Sequence, residues 1–247
     1  MLRYQVIVSY DGFNYSGWQK QPNANSIQSE IEKALAYIHQ HEVEIVASGR
    51  TDALVHAIGQ VFHFDSEKQL SVYKWQQAMN SLLPNDIRIQ QVKVVRNDFH
   101  ARFDAISKRY DYYVTNDIHN PFLDKYMAKE LKELDVELMQ QGAKIFLGTH
   151  DFTSFTSNKI DPRKPRVKTI TRLDIIQESN CVHMIFEGSG FLRYMVRMIA
   201  QTLIELGKHK LTLKQVESML LAKSKDACRY KASPQGLYLV SVNYQDV

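Results

Sequence analysis

Arg3-Tyr4-Gln5-Val6-Ile7-Val8 and Arg109-Tyr110-Asp111-Tyr112-Tyr113-Val114 open the two halves of this chain with one alternating, strand-like pattern. After the first comes a loop rich in Gly, Asn and Tyr. From about Ser26 a helical face then runs through Ile27, Ile31, Leu35 and Ile38. Strand patterns follow at 42–48 (EVEIVAS) and 58–65 (IGQVFHFD), then an amphipathic helix near 71–82 and a strand at about 87–95 (IRIQQVKVV). The order β-α-β-β-α-β predicts a ferredoxin-like unit, an antiparallel sheet backed by two helices. The second stretch leads to a helix near 135–146, strands at 167–177 and 182–187 and a helical run from Phe191 to Leu206. A further helix opened by Thr212 and a final strand at 237–243 (LYLVSVN) complete it. That is the same order with one helix added. The expected fold class is α+β: two ferredoxin-like (RRM-like) halves, 1–106 and 107–247, with their antiparallel sheets side by side, a platform suited to nucleic acid.

At 247 residues and 44% hydrophobic content, the chain can bury a full core. No apolar run approaches the roughly 20 residues of a membrane span, and MLRYQVIVSY enters strand pattern without a signal-like start, so a cytoplasmic protein is expected. Cys181 and Cys228 sit in no metal spacing and read as buried thiols. The net charge of +4 is mild, but its distribution is not: Lys159, Arg163, Lys164, Arg166, Lys168 and Arg172 face one acid, Asp161, with Pro162 and Pro165 among them. This basic loop is either a solvated surface or a phosphate-contacting arm, with Arg163 and Arg166 the candidates for RNA contact.

Chemistry concentrates in Gly49-Arg50-Thr51-Asp52-Ala53-Leu54-Val55-His56-Ala57. In extended chain, residues i and i+2 project to one side, so Arg50 is expected to pair with Asp52 and hold it ionised, ready to act as nucleophile or base. A loop aspartate capping a turn is the plainer alternative. Tyr110 lies in a strand, where tyrosine is common for packing alone. Arg197, among Met195, Val196, Met198 and Ile199, is expected to be buried and to need a partner. His56, His63 and His100 show no metal-ligand spacing, so no metal is expected.

The chain resembles the bacterial tRNA pseudouridine synthase A family from Tyr10 to Tyr238. The matching segments are Tyr10-Asp11-Gly12, Gly17-Trp18-Gln19-Lys20-Gln21, Ala47 to Asp52 with Val55-His56-Ala57, Phe99-His100-Ala101-Arg102-Phe103, Lys108 to Tyr112 and Asp151 to Phe155. Gly188 to Leu192 with Met195-Val196-Arg197, and Gly236-Leu237-Tyr238-Leu239, complete the series. The resemblance implies the pseudouridine synthase fold and isomerisation of uridine at positions 38, 39 and 40 of the tRNA anticodon arm, by a homodimer without cofactor or metal. By the same resemblance Asp52, Arg50, Tyr110 and Arg197 form the catalytic set. Asp52 attacks C1′ or takes a proton from C2′, Tyr110 stacks on the uracil, Arg50 also fills the gap left by the extruded base, and Arg197 forms a salt bridge to Asp52. Leu54, His56 and Arg102 are expected to contact substrate. Leu54 stands where the family usually has glycine, so the loop is expected to take a conformation open to leucine. Arg193-Tyr194 and Gln201 are further departures. The competing readings are a non-catalytic RNA-binding or chaperone relative, a pseudouridine synthase with a different or narrower RNA target, and a metal-dependent hydrolase.

Overall fold

A computed structural model describes residues 1–117, 119–157 and 165–245. Contacts divide the chain into two compact units, Met1–Ile106 with Tyr238–Val247, and Ser107–Leu237.

The first unit is built as the alternation demands. Strand β1 (Leu2–Tyr10) buries Tyr4, Val6 and Val8 completely and pairs antiparallel with both β3 (His56–Ser66) and β4 (Ile87–Val95). Strand β2 (Val46–Ala47) pairs antiparallel with β3, giving the order β4-β1-β3-β2 of a ferredoxin-like sheet. The sequence pattern at 42–48 yields only these two paired residues. Helix α1 (Ile27–His39) starts at a capping box between Ser26 and Ser29, and α2 (Val72–Leu82) starts at the cap Ser71. Tyr4 stacks on Phe64 at 5.2 Å and Phe64 meets Trp75 edge-on at 5.2 Å, joining both central strands to α2.

Strand β5 (Ala105–Thr115) opens the second unit, whose sheet also holds β7 (Gly148–Asp151), β8 (Val167–Gln177) and β9 (Cys181–Gly188). Its order is β5-β9-β8-β7, antiparallel throughout. A two-residue strand, β6 (Ala128–Lys129), pairs in parallel with β5. Neither β6 nor β7 is visible in the sequence pattern, because both are too short to show a period. Helix α3 (Val136–Lys144) packs on β8 and on α4 (Met195–Gly207), while α5 (Leu213–Leu221) starts at a capping box of Thr212 with Gln215. The α3–α4 approach is close: a Cβ on Gly142 would lie 2.3 Å from Leu206 Cδ2. Helix α4 is buried on almost every side, and it begins four residues after Phe191 because Gly190 (φ +137°) and Tyr194 (φ +69°) keep the entry non-helical.

The last strand, β10 (Leu237–Tyr244), clusters with the first unit from Tyr238 onward, whereas chain order alone placed it in the second half. It runs parallel to the start of β3, with Tyr238 beside His56 and Leu239 beside Ala57. Among the described residues no helix is long and apolar enough to cross a membrane. Cys181 and Cys228 are buried free thiols, as expected, and burial pushes the Cys181 thiol up to about 11.

Candidate functional site

Between β2 and β3 the chain leaves the sheet for residues 48–55, and several polar groups of this loop are fastened to residues outside it. Gln60, fully buried on β3, accepts from Ser48 Oγ (2.7 Å) and donates to the Gly49 carbonyl (3.0 Å). Thr51 is held twice. Its hydroxyl shares a hydrogen bond with the Tyr10 hydroxyl (2.8 Å) and its carbonyl accepts from Trp18 N–H (3.1 Å). Gly17 lets the Trp18 segment come that near: at φ +92°, a Cβ there would meet Thr51 O at 2.7 Å and Asp52 C at 3.0 Å. The Asp52 carbonyl accepts from Val55 N–H (3.2 Å), closing a turn, and Leu54 N–H donates to the Tyr15 carbonyl (3.4 Å). The Asp52 side chain is half-buried at the bend of a loop whose backbone has few ways to move.

Leu54 overturns one expectation. Its φ is +66°, the left-handed region, so the loop keeps a conformation that suits glycine and leucine bears it. The expected Arg50–Asp52 pair is also absent. Arg50 is exposed and makes no ion pair or side-chain hydrogen bond among the described residues. The reason is local: β2 ends at Ala47 and β3 starts at His56, so the side-chain alternation of a strand does not extend over residues 50–52.

His56 is buried beneath the loop. Its Nδ1 accepts from Gly12 N–H (3.1 Å), 3.1 Å from an Asp11 carboxylate oxygen, and its ring stacks on Tyr238 at 4.8 Å. Arg102 is exposed, its guanidinium 5.9 Å from the centre of the Phe103 ring.

In the second unit, Tyr110 sits on β5 opposite Phe186, half-buried, with its ring edge-on to Phe191 at 5.3 Å. Arg197 is in the first turn of α4 and only 7% exposed, so its expected burial holds. Its Nε donates to the Ala232 carbonyl (2.8 Å), while Ala232 N–H donates back to the Arg197 carbonyl (3.0 Å). Tyr194, just before the helix, gathers cations: Lys231 Nζ lies 4.7 Å, Arg193 4.8 Å and Arg197 5.5 Å from its ring centre. Gln201 turns along the helix and donates to Glu205 (2.8 Å). On the other face of β5, Asp111 is clasped by Arg109 (2.8 and 2.9 Å) and His183 (2.9 Å). Arg166 is half-buried, its carbonyl accepting from Phe152 N–H (3.0 Å). Arg163, like Lys159 and Lys164, lies outside the described residues.

The sequence profile of the tRNA pseudouridine synthase family matches residues 6–104 and 143–245, most of the chain and both units. The chain belongs to that family. Among curated relatives, tRNA pseudouridine synthase A of an Exiguobacterium species is 42% identical over 247 residues, covering 100% of both chains. The proteins of that name from Bacillus subtilis and Listeria monocytogenes are 41% and 42% identical, each covering 99% of this chain and 100% of its own length.

Family motifs and loop geometry coincide in a way that the residues alone did not reveal. Tyr10, Gly12, Gly17 and Trp18 lie within the stretch that the family profile matches, and here they are the groups against which the Asp52 loop is moulded; a Cβ on Gly12 would lie 2.0 Å from the Val55 carbonyl oxygen. Gln60 escaped notice altogether. Its only trace was a glutamine in the apolar run IGQVFHF, a polar residue at a position that a strand buries. Among the described residues no cluster of three or more His, Cys, Asp or Glu side chains is arranged to hold a metal ion.

Proposed function

We propose that this chain converts uridine to pseudouridine at positions 38, 39 and 40 of the tRNA anticodon arm, in the cytoplasm and as a homodimer, with Asp52 as the catalytic carboxylate. The observation that carries the reading is the Asp52 loop, a half-exposed carboxylate on a backbone fixed by Gln60, Tyr10 and Trp18, in a chain related over its whole length to tRNA pseudouridine synthases. Catalysis by positioned groups needs such a preorganised loop.

The reaction exchanges one bond for another. The N1–C1′ bond breaks, the uracil turns, C5 bonds to C1′, the C5 proton leaves to solvent and N1 gains a proton. No electrons are gained or lost, and no other reactant enters. Asp52 starts the exchange either by attack on C1′, through a bond that breaks again when C5 attacks, or by removing the C2′ proton, which returns to C2′ as C5 bonds to C1′. Tyr110 supplies a ring for the uracil, worth about 1 to 3 kcal/mol of stacking against the few kcal/mol of extruding a nucleotide. Arg50, without an internal partner among the described residues, is suited to fill the space the nucleotide vacates. Arg197 completes the set as a buried cation, and Arg102, Arg163 and Arg166 contact the RNA backbone. Leu54 shapes the pocket from the loop, and His56 supports it from beneath.

Release of tritium from tRNA labelled at uracil C5, followed by mapping of pseudouridine in the product, tests this reading. Wild-type protein should release tritium in the presence of chelator, and Asp52→Ala protein should not. Equal release by both proteins would refute the assignment of Asp52. Activity that depended on added metal would point to a different enzyme class.

A further inference from the structure

Phe103 is 76% exposed, yet the turn that carries it is held by a dense set of hydrogen bonds. His100 N–H donates to Asp104 (3.0 Å), which also receives Arg96 (2.5 Å), and the His100 carbonyl accepts from the N–H groups of Phe103 (3.1 Å) and Asp104 (3.0 Å). His100 Nδ1 accepts from Arg102 N–H (3.1 Å) and Phe103 N–H (3.2 Å), and its ring lies 4.1 Å from that of Phe103. Underneath, Ala101 N–H donates to His63 Nδ1 (3.1 Å), and its carbonyl accepts from the Tyr244 hydroxyl (2.7 Å).

Holding an aromatic ring rigidly in water gains the free protein little, because the exposed carbon is not removed from solvent. Arg102 is equally idle. Its guanidinium stands over the ring and has no ion pair or hydrogen bond among the described residues. A flat apolar face with an unpaired cation beside it is complementary to one ligand class above others, a nucleotide with an unstacked base and its phosphate. We propose that Phe103 is a stacking platform for an unpaired nucleotide of the tRNA substrate, with Arg102 taking the adjoining phosphate. This rests on the reading of the chain as a tRNA-modifying enzyme and adds a binding residue to it, outside the catalytic set.

Filter binding of unmodified tRNA by full-length wild-type, Phe103→Ala, Phe103→Leu, Phe103→Trp and Arg102→Ala proteins, across a salt series, tests the proposal. The alanine and leucine variants should each bind about 5- to 100-fold more weakly with the wild-type salt slope, and tryptophan should restore binding. Arg102→Ala should instead lower the slope by about 0.7 to 0.9, one phosphate's worth. An exposed side chain leaves the melting temperature unchanged in all four variants. Leucine binding like wild type, or tryptophan failing like alanine, would overturn the platform while the enzyme assignment stood. Wild-type protein that neither bound tRNA nor released tritium would instead overturn the reading beneath it.

Discussion

Leu54, two residues past Asp52, and Tyr194, three residues before Arg197, both hold left-handed backbone without being glycine (φ +66° and +69°). Other such residues, for example Gln40 at the end of α1, do the ordinary work of helix termini. Leu54 and Tyr194 flank proposed catalytic groups and each costs on the order of 1 to 2 kcal/mol. They are retained by opposite means. Around Leu54 the restraint is a polar lattice: Gln60, Tyr10, Trp18 and Tyr15 fix the backbone on both sides, and the leucine follows. At Tyr194 the restraint is the side chain itself, a ring ringed by Arg193, Arg197 and Lys231. The same strained geometry can thus be imposed on a residue by its neighbours or secured by the residue's own contacts, and only in the second case does removing the side chain remove the support.

That contrast can be broken experimentally. The largest effect belongs to the group the Leu54 loop presents: Asp52→Ala should lower the rate of tritium release by about 10⁴-fold or more with the melting temperature unchanged. Loss of stability together with activity would mean that Asp52 helps to hold the loop. Gln60→Leu should do the reverse, removing the lattice while sparing every proposed catalytic group. With the Gln60 amide gone, the Gly49 carbonyl loses its donor and the Ser48 hydroxyl loses its acceptor on β3, so unfolding in urea should become easier by about 1 to 3 kcal/mol, and activity should fall with it.

Acid should weaken the lattice from the far side. Burial first, then the charges of Arg3 and His100, push the buried His63 down to about 4, so it stays neutral and accepts from Ala101 N–H. A histidine depressed in the folded state gives stability that is present above its unfolded value of about 6.5 and is lost as the pH falls from there toward 4. The loss should approach on the order of 3 kcal/mol near pH 4. His63→Asn, which keeps an acceptor for Ala101 but does not titrate, should flatten that part of the stability profile; an unchanged profile would move the acid sensitivity elsewhere.

The smallest effects address the comparison most directly. Tyr194→Gly should lower stability by about 1 to 2 kcal/mol, because three cation contacts are lost for the relief of one strained dihedral pair. Leu54→Gly should raise it, by up to about 1 kcal/mol, since the lattice remains and only the strain goes. If both variants moved in the same direction in thermal melts, the two supports would not differ in kind.

Periodic features were legible in the sequence and aperiodic ones were not. The burial of Tyr4, Val6 and Val8 and the caps at Ser26 and Thr212 follow from spacing and side-chain chemistry that act locally. Strands β6 and β7 rest on pairing with distant strands, so nothing local announced them. In the loop, residue types at 50, 52 and 54 were readable, but their geometry was not. Pairing of Arg50 with Asp52 presumed strand alternation that stops at Ala47, and a relaxed Leu54 presumed that the backbone would yield to the side chain. Both outcomes were decided by Gln60, Tyr10 and Trp18, dozens of positions away or on a neighbouring strand.

The place of β10 bears on how the enzyme comes into being on the ribosome. Tyr238 lies against His56 and the Tyr244 hydroxyl donates to the Ala101 carbonyl, yet both are synthesised after the whole of residues 107–237. A nascent chain that has already made the Asp52 loop and its Gln60, Tyr10 and Trp18 anchors therefore lacks the Tyr238 ring against His56 until the second unit has emerged. Contacts of such long sequence separation fold late. Unfinished chains, surrounded by tRNA during translation, would present the Asp52 loop without its β10 neighbour, and the first unit would be complete only as the last strand closes.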